Sequence, residues 1–177
     1  MNTLSSNHLK RVCIIDNSGS GKSTLADDLG AQLLIPVYHL DQELLYDNFI
    51  PKPKNDRLTR HAQIIAQNSW IIDGNYPKVM YADRLARATL VVFLDISRFI
   101  AIPRVLKRYI ATNYQTKNIP DTASNGISWK FAKWVVTYFR RNKLKELRDY
   151  CNIYPHIRLV VLHKGTLNDW IKKIVKP

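Results

Sequence analysis

Short apolar runs alternate with stretches of helical periodicity along most of the chain. Val12-Cys13-Ile14-Ile15 and Leu90-Val91-Val92-Phe93-Leu94 are continuous and apolar, as in strands covered by helices on both faces. The pattern predicts strands at Arg11–Asp16, Pro36–Tyr38, Trp70–Asp73, Leu90–Asp95 and Ile157–Leu162. Between them, Lys22–Leu34 places Leu25, Leu29 and Leu33 on one stripe, and Asn55–Gln67 places Leu58, Ala62 and Ile65 at helical spacing. The longest predicted helix, Ile127–Tyr150, gathers Ile127, Phe131, Trp134, Val135, Tyr138 and Phe139 on an apolar face, which reads as core packing rather than a base-stacking platform. Thr166–Val175 closes the chain as a short helix.

Strands alternating with helices predict βαβ units and a three-layer α/β domain. Its five-stranded, mainly parallel sheet should have Arg11–Asp16 at the centre, flanked by the strands ending at Asp73 and Asp95. No linker, repeat or low-complexity tract interrupts the pattern, so residues 1–177 read as a single domain. Gln115–Ser128, rich in Pro, Gly, Asn and Ser, reads as an exposed loop between two basic helices. That arrangement suits a phosphate lid over about residues 98–148.

Composition narrows the class. Of 177 residues, 46% are apolar and 23% charged, which fits a globular chain rather than a disordered one. No apolar run approaches the ~20 residues of a spanning helix, so no membrane role is expected. Residues 1–10 lack a signal-peptide pattern, and the two cysteines, Cys13 and Cys151, do not make a disulfide scaffold; a cytoplasmic location is expected. The net charge is +13, and residues 98–148 hold 12 basic side chains against Asp121 and Glu146. Either this is a solvated basic face, or it attracts nucleotides, phosphorylated metabolites or nucleic acid.

The chemistry centres on Asp16-Asn17-Ser18-Gly19-Ser20-Gly21-Lys22-Ser23-Thr24, between a predicted strand and a predicted helix. That is the context of a phosphate-binding P-loop. Gly19 and Gly21 let the backbone turn its N–H groups onto phosphate oxygens, and the helix N-terminus adds a favourable dipole. Lys22 can reach the β- and γ-phosphates of ATP, Ser23 can ligate Mg²⁺, and Thr24 is placed for the α-phosphate. Ser18, Gly19, Ser20, Gly21, Lys22, Ser23 and Thr24 are thus the candidate nucleotide-binding residues. The pattern G-x-x-x-x-G-K-[ST] begins here with Asp16 instead of Gly, and this acid either repels the ligand, points away or approaches the metal.

On these residues the sequence resembles P-loop kinases of the adenylate-kinase-like group. It is most similar to a bacterial family annotated "DNA topology modulation protein". The similarity continues through Ile35–Asp41, Trp70–Tyr76, Arg84–Ala88 and Arg104–Arg108. It implies an αβα P-loop fold with a helical lid, and an ATP- and Mg²⁺-dependent kinase. It also implies roles by position. Asp41, at the end of the second strand, orients or deprotonates the acceptor hydroxyl, or else caps a helix over Gln42–Tyr46. Asp73, in an Asp-Gly pair, holds Mg²⁺ through water, or else only makes a turn. Arg104 and Arg108 lie one turn apart on a helix, one for the adenine ring and one for the phosphates, or form a solvated ridge. Arg140 or Arg141 returns to the γ-phosphate.

Departures from adenylate kinase bear on the acceptor. Where it clamps a monophosphate with arginines, this sequence has Leu44 and Pro77, with Lys78 or Arg84 as the available substitutes. A nucleoside or similar small hydroxyl compound is therefore expected as acceptor. His39, His163 and Cys13 read as packing residues.

The alternative is a nucleotide-binding regulatory or nucleic-acid-binding protein without turnover. The sequence has no helix-turn-helix, zinc-ligand or RNA-binding aromatic signature, so nucleic acid is not the favoured partner. A GTPase is set aside because Asn142-Lys143-Leu144-Lys145 lacks the final acid of N-K-x-D. The expected partners are ATP and a small acceptor, with the protein a monomer or homodimer.

Overall fold

The computed structural model describes residues 9–16, 20–46, 50–76, 79–97, 103, 139–163 and 165–175. Five strands form one sheet: β1 (Arg11–Asp16), β2 (Val37–His39), β3 (Trp70–Asp73), β4 (Leu90–Leu94) and β5 (Arg158–Leu162). Their order is β2-β3-β1-β4-β5, and every pairing is parallel. The central place of β1 and its two neighbours are those the apolar pattern predicts. Parallel pairing brings the carboxyl ends of all five strands to one edge, where ligands of open α/β sheets bind.

Six helices are described: α1 (Lys22–Leu33), α2 (Leu40–Leu44), α3 (Lys54–Ala66), α4 (Tyr81–Arg87), α5 (Phe139–Ile153) and α6 (Leu167–Val175). The strand period of two divides the core. Val12 and Ile14 of β1 face Leu25, Ala26 and Leu29 of α1, with Trp170 and Ile171 of α6 alongside. Cys13 and Ile15 face Leu40 and Leu44 of α2, Ile64 and Ile65 of α3, Leu85 of α4 and Leu147 of α5. Helices on both faces of the sheet make the three-layer αβα fold of P-loop proteins.

Several boundaries differ from the sequence expectation, most of them by one residue. β2 runs one residue later, to His39, and α2 begins at once, so Asp41 lies in the first turn of a helix and not at a strand end. Its acid is well placed for the helix dipole there. The long helix is described from Phe139 and runs past Tyr150 to Ile153, where Pro155 disfavours continuation. Residues 127–138, with most of the aromatic stripe, lie outside the described residues, as does most of segment 98–148. α4 has no counterpart in the periodicity, being only seven residues long.

α1 packs closely on β2. A Cβ on Gly30 would collide with the Val37 side chain and stand 3.1 Å from the Ile35 carbonyl oxygen. Gly30→Ala is expected to destabilise the protein by about 1–3 kcal/mol through overpacking, despite the better helix propensity of alanine. Denaturant unfolding at constant slope measures this.

His61 on α3 is wholly buried. Burial first, and the nearby Arg84 charge second, lower its pKa from 6.5 to about 4. The folded state therefore keeps it neutral while the unfolded chain takes up a proton below pH 6.5. Stability should fall as pH drops from about 6.5 toward 4, by on the order of 2–3 kcal/mol in total. Urea midpoints at several pH values test this, and His61→Leu should flatten that part of the curve. An unchanged curve in the variant would assign the pH dependence to other groups.

Candidate functional site

β1 delivers the chain to the sheet's carboxyl edge at Asp16, and α1 departs at Lys22. Gly21 stands between them with φ of 98°, a left-handed conformation that glycine adopts without penalty. Its carbonyl accepts the first helical bond, from Leu25 N–H at 3.1 Å. The first N–H groups of an α-helix have no partner within the helix itself, which is why a helix N-terminus suits an anion. Ser20 is buried, and Lys22, Ser23 and Thr24 open the helix. Ser18 and Gly19 lie outside the described residues. Asp16 does not stand as an exposed acid at the mouth of the loop: it is 1% exposed.

The turn after β3 meets this loop. Ser23 Oγ donates to Asp73 Oδ2 at 2.7 Å. Asp73 is buried, and its Oδ1 has no hydrogen-bond partner among the described residues. A serine hydroxyl beside a carboxylate oxygen with spare capacity is the hard oxygen donor set that Mg²⁺ takes. Among the described residues no cluster of three or more His, Cys, Asp or Glu could hold a metal. The two oxygen-bearing side chains of Ser23 and Asp73 fit a Mg²⁺ that takes its remaining ligands from phosphate and water.

His39, read from sequence as packing, also reaches Asp73. β2 pairs with β3 so that His39 stands opposite Asp73. Its Nδ1 lies 3.1 Å from Asp73 Oδ2 and its Nε2 lies 3.0 Å from Asp27 Oδ1 on α1. Burial alone would lower the His39 pKa, but the hydrogen bonds and charges of Asp73 and Asp27 outweigh it and raise the value. Only the strand register reveals this contact; the spacing of His39 and Asp41 does not.

Asp41 is exposed at the same edge, where its Oδ1 accepts the Tyr76 hydroxyl at 2.8 Å. Burial, then Asp41 itself, push the Tyr76 pKa up, so the phenol stays protonated and donates. Tyr76 has φ of 33°, a strained value for a side-chain-bearing residue, and Gly74 before it has φ of 134°. A Cβ on Gly74 would stand 3.0 Å from Leu40 Cβ. The turn Asp73-Gly74-Asn75-Tyr76 is thus over-determined. One of its residues contacts Ser23, one the backbone of Asp16 and one Asp41.

The other predicted residues divide. Leu44 is wholly buried in the core, so its position makes no phosphate contact. Arg84, a candidate substitute clamp, is also wholly buried, and its Nη2 donates to the Asn75 carbonyl at 2.7 Å. Pro77, Lys78, Arg104 and Arg108 lie outside the described residues; Arg140 lies on the backbone of α5, but its side chain does not fall within them. His163 follows β5 and stands 3.4 Å from Asp95 Oδ2. Burial pushes the Cys13 thiol up to about 11, which fits an inert core residue. No helix among the described residues is long and apolar enough to cross a membrane.

No protein-family model matches the chain. No curated protein matches it either. Solved structures do. A shikimate kinase from Acinetobacter baumannii, in complex with shikimate, superposes with a TM-score of 0.58 at 14% identity, over 96% of this chain and 92% of that one. A shikimate kinase from Bacteroides thetaiotaomicron gives 0.52 at 12%, over 93% and 95%. A gluconokinase from Sinorhizobium meliloti gives 0.51 at 16%, over 95% and 90%. At such identities the likeness shows the fold alone, a parallel α/β fold shared with these structures.

Proposed function

We propose that the chain is an ATP-dependent kinase that transfers the γ-phosphoryl group to a small hydroxyl-bearing acceptor, such as a nucleoside. The observation that carries this reading is the convergence of Ser23 and Asp73 at the start of α1. A phosphate loop alone binds nucleotide. A buried carboxylate held against its serine adds the oxygen set for a catalytic cation.

The roles follow. Ser18–Thr24 surround the phosphates, and Lys22 neutralises charge on the β- and γ-oxygens. Ser23 and Asp73 would hold Mg²⁺, which would supply neutralisation of the phosphate charge. Asp41 accepts the acceptor's proton as its oxygen bonds to the γ-phosphorus and the bond to the β–γ bridging oxygen breaks, releasing ADP. Tyr76 holds Asp41 in place for that task. Arg104, Arg108 and Arg140, by their resemblance to lid-flanking arginines, steady the transferring group from segment 98–148. The kinds of neighbour in the fold, shikimate kinase and gluconokinase, support a hydroxyl acceptor. The motifs quoted above support kinship with the bacterial adenylate-kinase-like family.

Leu44 in the core and Arg84 beneath the turn leave those two positions without an exposed guanidinium for a monophosphate. AMP is accordingly expected to be a poor acceptor. Calorimetry with ATP and Mg²⁺, followed by an acceptor screen scored by ADP release, tests the whole reading. Brisk ADP formation with AMP would return the protein to the nucleotide kinases. ATP binding without turnover on any acceptor, together with nucleic-acid binding, would favour the regulatory alternative.

A further inference from the structure

The β1–β3 ladder stops at the pair Ile14 and Asp73. Its last bond runs from Gly74 N–H to the Ile14 carbonyl at 3.3 Å. Backbone groups two residues apart on a strand point to the same neighbour. Asp16 therefore offers its N–H and C=O where β3 has already ended. The Asn75 side chain takes both. Its Oδ1 accepts the Asp16 N–H at 3.3 Å, and its Nδ2 donates to the Asp16 carbonyl at 2.6 Å. The opposite orientation of the carboxamide would set donor against donor and acceptor against acceptor, so the pair defines the amide. Asn75 thus adds one more rung to the ladder, at the residue from which the phosphate loop leaves the sheet.

Asn75 is itself held from within the protein. Arg84 Nη2 donates to its carbonyl at 2.7 Å. Arg84 is 0% exposed, lies with its guanidinium carbon 5.1 Å from the Tyr81 ring centre, and has no hydrogen-bond partner for Nε or Nη1 among the described residues. Burial lowers its pKa. Keeping a guanidinium inside the protein is costly. Holding a turn carbonyl for stability alone would not require a cation there. The same turn carries Asp73, two residues before Asn75, so whatever fixes Asn75 also fixes the spacing between the Asp73 carboxylate and the phosphate loop.

We propose that Asn75 and Arg84 are positioning residues for the nucleotide: Asn75 locks the start of the phosphate loop by pairing with the Asp16 backbone, and Arg84 locks Asn75. This rests on the reading of Ser18–Thr24 as the nucleotide loop. It places Arg84 on the nucleotide side of the site, where the sequence suggested the acceptor side.

Asn75→Asp is nearly isosteric but sets an acceptor against the Asp16 carbonyl. It is expected to weaken ATP affinity at least tenfold by calorimetry, and to raise KM for ATP with little change in KM for the acceptor. Arg84→Met should act in the same direction. Arg84→Lys, which keeps a donor for the Asn75 carbonyl, should recover most of the affinity; a purely packing role would not distinguish the two. Affinity within twofold of wild type in folded Asn75→Asp overturns the proposal. Should that variant not fold, Asn75→Ser, whose hydroxyl cannot span both backbone groups, is judged by the same twofold limit. Lys22→Ala measured in parallel separates the two levels. Wild-type protein that binds neither ATP nor ADP overturns the function reading and this inference with it. Binding lost in Lys22→Ala but intact in Asn75→Asp or Asn75→Ser overturns this inference alone.

Discussion

Replacing Lys22 by alanine is expected to remove phosphoryl transfer, lowering turnover by at least ~10²–10³, and to weaken ATP binding. Lys22 is the first residue of α1, directly after the left-handed Gly21. It stands at the N-terminus of the helix, where the dipole favours phosphate. A full cation there opposes charge that grows on the γ-phosphoryl oxygens as the bond to ADP breaks. Arginine at the same place would carry the charge on a longer, planar group and should restore little. Titration of Lys22→Ala with ATP and Mg²⁺ decides the matter: affinity equal to wild type would show that Ser18–Thr24 is not the nucleotide loop.

Asp41→Asn should lower turnover by ~10²–10⁴ while ATP affinity stays nearly intact, because the amide cannot accept the acceptor's proton. The variant is close to isosteric, and the asparagine oxygen can still accept the Tyr76 hydroxyl that now bonds Asp41 at 2.8 Å. Asp41 is exposed in the first turn of α2, so folding should be little affected. Single-turnover kinetics with a good acceptor, beside calorimetry with ATP, separate the chemical step from binding. Full activity in Asp41→Asn would remove Asp41 from the reaction and leave base catalysis to another group.

Much of the fold was legible because its signals are local. A continuous apolar run such as Leu90–Leu94 has to be covered on both sides, and helical stripes between such runs supply the cover. That suffices for parallel strands and three layers. The strand–turn–helix context of the proposed phosphate loop was legible for a similar reason: Asp16, Gly21 and Lys22 lie within one local segment, the end of β1 and the start of α1. The boundary at Asp41 was not, since a three-residue strand and a five-residue helix leave almost no periodicity to read.

The sequence by itself therefore determined the layers and the central strand, which depend on neighbours along the chain, and it supplied the motif on which the proposed phosphate loop rests. Tertiary structure decided which side chains meet across strands. Parallel register sets His39 opposite Asp73, residues 34 apart in sequence. It brings Ser23 to the same carboxylate. The end of β3 two residues short of Asp16 opens the gap that Asn75 fills. Burial took the Arg84 side chain away from the surface. None of these is visible in residue type or spacing, because register and burial are set by how whole elements pack, and the same arginine serves a surface or an interior equally well on paper.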